Sequence, residues 1–125
     1  MRGTSTIVLL ACFLAIVSTR SYADVYPWGQ GEVRLTHHDY KAMEAARQPL
    51  LTDDSLPIGA IREWSNAQSG NHGTIQLLKR FEYEYQGSKL PCRELRYHVV
   101  TKDNADPYNF TLNRCKVADG SWKIL

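Results

Sequence analysis

Three groups of residues have types and spacings that could do chemistry: Cys92 and Cys115, the run His37-His38-Asp39, and the stretch Ser69-Gly70-Asn71-His72-Gly73. The two histidines and the carboxylate offer metal binding or proton transfer. Adjacent residues on a helix point about 100° apart, however, so they do not converge on one ion. Polar residues at a helix start are the plainer reading, with Asp39 at the favourable end of the helix dipole. His72 and His98 lack convergent partners in the sequence and read as surface histidines. The glycine-bearing stretch has no following helix and no Lys-Ser/Thr pair, so it reads as a hairpin loop rather than a phosphate loop. Asn109-Phe110-Thr111 has the form of a glycosylation acceptor but falls inside an expected strand. No serine sits in a nucleophile elbow, and neither Cys92 nor Cys115 reads as a catalytic thiol. The expectation is a protein that is not an enzyme, with no cofactor and no metal.

The cysteines gain meaning from the start of the chain. Arg2, the apolar run 7–17 and the small residues Ser21 and Ala23 have the pattern of an export signal, residues 1–23. The apolar run is shorter than the roughly 20 residues a membrane span needs. Cleavage after Ala23 is the first expectation; the rival is acylation of Cys12 in a lipobox-like Leu9-Leu10-Ala11-Cys12. Cleavage at Ala23 would leave 102 of the 125 residues, one domain of ordinary size. Arg2 and Arg20 would go with the leader, reducing 15 basic residues to 13 against 13 acidic ones. The remaining chain is formally neutral, which removes the electrostatic argument for nucleic-acid binding. Two cysteines in an oxidising compartment are expected to form a disulfide, worth roughly 3 kcal/mol for a loop of this length.

The elements that would position these residues can be read in order. Residues 24–57 divide into an aromatic lead-in holding Trp28, a helix and a connector; residues 58–125 read as β-rich. Thr36 is the expected N-cap, with Asp39 in the capping-box position. Residues 37–47 would be helical, with Tyr40, Met43 and Ala46 on the apolar stripe and Pro49 ending the helix. Strands are expected over 58–65, 74–85, 90–101, 108–117 and 121–125, with a turn-rich loop at 66–73. Ile75, Leu77, Phe81, Tyr83 and Tyr85 would share one apolar face, interrupted only by Lys79, with Phe81 and Tyr83 in the core and Tyr85 half exposed.

Register follows from one assumption. Placing Cys92 opposite Cys115 in an antiparallel pair puts Leu95 opposite Leu112, Tyr97 opposite Phe110 and Val99 opposite Tyr108. All three apolar pairs fall on one face, with the turn at Asp103 and Asn104. A three-residue turn before this hairpin would set Phe81 opposite Leu95 and Leu77 opposite Val99. A two-residue turn at Asp119 and Gly120 would set Ile124 opposite Cys115, so that Trp122 and Ile124 shield the disulfide. The fold class expected is α+β: an N-terminal helix packed on a curled antiparallel sheet of four to five strands, with one disulfide.

In order, Trp64-Ser65-Asn66, Ser69-Gly70-Asn71-His72-Gly73-Thr74, Pro91-Cys92-Arg93-Glu94, Cys115-Lys116 and Asp119-Gly120-Ser121-Trp122-Lys123-Ile124 span about half the chain. This ordered set resembles the C-terminal domain of the bacterial seventeen-kilodalton common surface antigen family. The chain departs from that family in having no glycine-zipper segment before the domain, and in Arg114 where members often carry a small residue. The resemblance implies an envelope-located domain, in the periplasm or at the outer membrane, and transfers no catalytic residue. The expected function is non-enzymatic, through contacts with envelope or outer-membrane proteins, with no nucleic acid and no membrane span. The alternative is a periplasmic inhibitor or immunity-type protein that binds a secreted enzyme. The expected contact surface is Trp64, Asn66, Asn71 and His72 with Trp28. On that reading Trp64→Ala would abolish partner capture and leave the fold intact.

Overall fold

Thr36 begins the first element as the sequence leads one to expect. Its hydroxyl accepts a hydrogen bond from the Asp39 amide at 3.1 Å, and the Asp39 carboxylate accepts one from the Thr36 amide at 2.7 Å. In the computed structural model, which describes Gly3 and residues 35–125, helix α1 spans His37–Thr52. The leader, Cys12 and Trp28 lie outside the described residues. Pro49 does not end the helix, contrary to expectation. It forfeits one backbone bond, but so close to the C-terminus the loss is outweighed by Leu50 and Leu51, both buried in the core. The Asp53 amide then closes the helix on the Pro49 carbonyl at 2.9 Å.

Five strands follow: β1 Ile61–Ser65, β2 His72–Tyr85, β3 Ser88–Thr101, β4 Asn104–Lys116 and β5 Trp122–Ile124. They form one antiparallel sheet in chain order. Cys92 and Cys115 are disulfide-bonded across β3 and β4. The pairs Leu95–Leu112, Tyr97–Phe110 and Val99–Tyr108 form as the disulfide register requires. Tyr97 and Phe110 stack with ring centres 5.0 Å apart. Past Val99 the register slips: Thr101 pairs with Asn104, so the turn is Lys102 and Asp103, one residue earlier than expected. The two extra residues fall on the β4 side, in the stretch holding Pro107. Proline cannot donate to a ladder and is found at such irregularities.

The other two hairpins differ from expectation for reasons of loop length. Tyr85 pairs with Ser88 across a two-residue turn in which Gln86 and Gly87 both have positive φ, 49° and 79°. That is the requirement of the tight turn whose twist suits a hairpin. Further along, Leu77 pairs with Leu95 but Lys79 pairs with Glu94, so Leu78 is a bulge. A bulge inverts the alternation beyond it. Phe81 therefore lies opposite Cys92, not Leu95, and Tyr83 and Tyr85 share its face rather than that of Ile75 and Leu77. At the last hairpin the loop is residues 118–120, with Gly120 at φ 87°. One residue more than expected in the loop puts Lys123, not Ile124, opposite Cys115. Trp122 moves to the opposite face from the disulfide and packs against the core cluster.

Helix and sheet share one core: Met43, Leu50 and Leu51 from α1, Trp64 from β1, Ile75 and Leu77 from β2, and Leu95, Tyr97 and Val99 from β3. Trp64 is only 4 % exposed and lies directly across the β1–β2 pair from Gly73. A side chain at Gly73 would bring its Cβ within 1.9 Å of the His98 carbonyl oxygen and 2.9 Å of the Trp64 Nε1. The glycine makes room for the indole and for close approach of β3. Trp64→Ala is therefore expected to cost about 3–5 kcal/mol through the cavity it leaves, and Gly73→Ala about 3 kcal/mol through overpacking. Urea unfolding of the two variants measures both. A Trp64→Ala midpoint equal to that of the parent would return Trp64 to the surface role the sequence suggested.

Candidate functional site

Asp39 is fully buried. Besides the Thr36 amide, it accepts hydrogen bonds from the Asn66 side-chain amide at 2.8 Å, the Ser69 hydroxyl at 2.6 Å and the Asn71 side-chain amide at 2.8 Å. Asn71 also accepts from the Lys102 amide at 2.9 Å, which ties the β3–β4 turn into the same cluster. The loop 66–73 is folded by its own backbone as well, through Asn66 N to Asn71 O at 2.9 Å and Gly70 N to Asn66 O at 2.8 Å. Burial pushes the Asp39 carboxyl up, but the donors from Ser69, Thr36, Asn71 and Asn66 outweigh it and hold its pKa below the ordinary carboxylate value.

The contact surface expected from the sequence is thus largely turned inward. Trp64 is core, Asn71 is buried, and Asn66 and Asn71 both spend their side-chain amides on Asp39. His72 is exposed at the start of β2. His37 and His38 stand edge-on with ring centres 6.0 Å apart at the helix start. His98 lies on the face away from the helix, its Nδ1 2.7 Å from the Asn109 Oδ1. A hollow of about 590 Å³ opens around Glu63, His72, Thr74 and His98. Among the described residues no three His, Cys, Asp or Glu side chains are placed to hold a metal.

The more distinctive surface was not anticipated, because the Leu78 bulge creates it. Tyr83 and Tyr85 are 48 % and 43 % exposed, and their rings stack at 6.5 Å and 29°. Beside them a hollow of about 530 Å³ lies between the β2–β3 hairpin tip and the β4–β5 loop, lined by Tyr85, Leu90, Pro91 and Val117 together with Lys89 and Lys116. Exposed aromatic residues beside an apolar concavity are the usual composition of a protein contact. Tyr85 is half exposed, as its place at the strand end suggests, but no signal short of recognising the bulge separates Tyr83 from a core residue in the sequence.

Among the described residues the fold is a five-stranded antiparallel open sheet, pinned by a disulfide, with one helix on one face. No family model matches the chain, and no curated protein or solved structure matches it. Among the described residues no helix is long and apolar enough to cross a membrane.

The lowered Asp39 pKa has a consequence for stability. A carboxyl depressed in the folded state stabilises above its unfolded pKa, about 3.9, and that contribution is lost as the pH falls through the folded value. Asp39→Ala strands buried donors and is expected to cost about 3 kcal/mol at neutral pH. Asp39→Asn is expected to lose stability and also to flatten the acid side of the stability profile. Asp53 and Asp119, lowered by the hydroxyls and amides of Ser55 and Ser121, remain to contribute in both proteins. Denaturant midpoints between neutral pH and pH 3 test this; parallel acid limbs for parent and Asp39→Asn would refute it.

Proposed function

We propose that this chain is an exported, non-enzymatic binding module of the bacterial envelope, surface-antigen-like in its second half. It acts through the end of the sheet that carries Tyr83 and Tyr85. The observation that carries the reading is this stacked, exposed tyrosine pair beside the apolar hollow. Tyrosines supply large contact area at low entropic cost and anchor protein interfaces. Lys89 and Lys116 in its lining define the occupant: a protein segment that inserts an apolar side chain flanked by carboxylates. Export is supported by the leader pattern of residues 1–23 and by a disulfide between two strands.

A second reading, inhibition of a secreted enzyme, draws on the shape of the same region. β1 pairs with β2 only over residues 72–76, and β4 pairs with β3 from Cys92 onward, so residues 82–91 project as a two-stranded arm. Such an arm suits insertion into a cleft.

A photo-crosslinker at position 85, in cells that make the protein natively, separates the two readings, with position 44 on the exposed helix face as control. The expected result is one envelope protein crosslinked from position 85 and not from position 44. The Tyr83→Ala/Tyr85→Ala protein is expected to lose that partner while its stability changes by less than about 1 kcal/mol. Stoichiometric crosslinking to a soluble enzyme would replace the envelope reading with the inhibitor one. Equal yield from both positions would refute a contact surface at the tyrosines.

A further inference from the structure

On the helix-side face, the register sets three arginines in one row across three strands: Arg80 of β2 opposite Arg93 of β3, and Arg93 opposite Arg114 of β4. Like charges placed directly opposite each other on a sheet repel, and a guanidinium does not discharge itself by losing its proton. The partners present offset little of this charge. Arg80 donates to the Asp53 and Leu56 carbonyls at 3.3 and 2.6 Å, and Arg114 to the Trp122 carbonyl at 3.5 Å. Arg93 donates to the Cys92 carbonyl at 2.9 Å and lies 5.2 Å over the Trp122 ring. One carboxylate reaches the row: Asp54, 3.0 Å from Arg93, with its side chain 81 % exposed. Glu82 shares the face one step along β2, and Lys116 one step along β4. Among the described residues the row makes no further ion pair.

Desolvation sharpens the demand for an anion. Arg93 is only 8 % exposed. The Nε atoms of Arg80, Arg93 and Arg114 are all buried without a hydrogen-bond partner. Three positive charges thus make one contacting ion pair, to an exposed carboxylate, with donors left over; the connector's other carboxylate, Asp53, faces Arg80 only through space.

We propose that the Arg80–Arg93–Arg114 row is a binding site for a phosphate-type oxyanion. A dianion answers the charge that the single contacting carboxylate leaves unpaired more fully than a second carboxylate would. Neighbouring strands lie about 4.8 Å apart, a spacing at which one tetrahedral anion bridges two guanidiniums with the paired N–H geometry that arginine offers phosphate. Asp54 is the internal anion that contacts the middle of the row, at Arg93. This site lies on the opposite face from the tyrosines and does not depend on the role given to them.

The test compares thermal midpoints in sodium phosphate and in sodium chloride at matched ionic strength and pH. Phosphate is expected to raise the midpoint of the parent more than chloride does, as any ligand selective for the folded state must. Asp54→Asn is expected to enlarge that phosphate-specific rise by removing the competitor. Arg114→Gln is expected to diminish it, and the Arg80→Gln/Arg114→Gln protein to lose it, with circular dichroism confirming that each is folded. Co-flotation with vesicles containing phosphatidate, against phosphatidylcholine alone, tells the source: retention assigns a lipid phosphate, and a phosphate response without retention assigns a soluble one. Equal shifts by phosphate and chloride in both the parent and Asp54→Asn would overturn the proposal, since screening alone then relieves the row. A phosphate-specific rise unchanged in the folded arginine variants would overturn it as well.

Discussion

A buried carboxylate that pairs with no cation among the described residues constrains the whole upper end of this molecule. Moving an ionised Asp39 out of water is costly unless its oxygens are fully occupied. Here they are, by four donors drawn from the helix start and from the loop between β1 and β2. The helix dipole adds a favourable field at the same point. The loop can be ordered only against the carboxylate, and the carboxylate can be buried only against the loop. The angle at which α1 meets the sheet is set by this mutual requirement together with Met43, Leu50 and Leu51 in the core. Asn71 carries the constraint one step further, to the Lys102 amide in the turn beyond β3.

Much of the fold was legible where the determinants are local or covalent. Thr36 and Asp39 lie three residues apart, and their reciprocal capping follows from spacing alone. The disulfide places three further cross-strand pairs because alternation along two straight strands leaves no freedom. What escaped are single-residue decisions with long reach. Nothing in residues 74–85 marks Leu78 as a bulge; it is chosen by the pairing with β3, where Leu95 and Glu94 already have assigned faces. Asp119 and Gly120 read equally well as a two-residue loop or as the end of a three-residue loop, and the second is taken. Pro49 shows local propensity yielding to burial, because the two leucines after it gain more in the core than one lost backbone bond costs.

The candidate site failed to be legible for a related reason. Asn66, Ser69 and Asn71 have the turn-forming, polar character of an exposed loop, and the sequence alone ties them to nothing. Their partner lies 27 to 32 residues away. Trp64 likewise reads as a contact residue until Gly73 is seen opposite it, at which point the pair becomes an indole filling the space that the missing side chain leaves. Residues that looked like recognition chemistry were spent on architecture, and Tyr83, which looked like core, was released to the surface by the bulge.

One inversion thus distributes chemistry between the two faces. Before Leu78 the odd-numbered residues of β2 face the helix and build the core. After it the even-numbered ones do, so Arg80 joins Arg93 on the helix side while Phe81 lies over Cys92 on the other. Without the bulge, Phe81, Tyr83 and Tyr85 would extend the apolar face under the connector, and Arg80 would stand on the disulfide side. The bulge therefore does two things at once: it exposes the tyrosines at the free end of the sheet, and it completes a row of three guanidiniums against a connector that answers with one contacting carboxylate. Both surfaces begin where the helix no longer covers the sheet, which is why the end of the sheet, rather than the polar loop beside the helix, carries the unsatisfied chemistry of this chain.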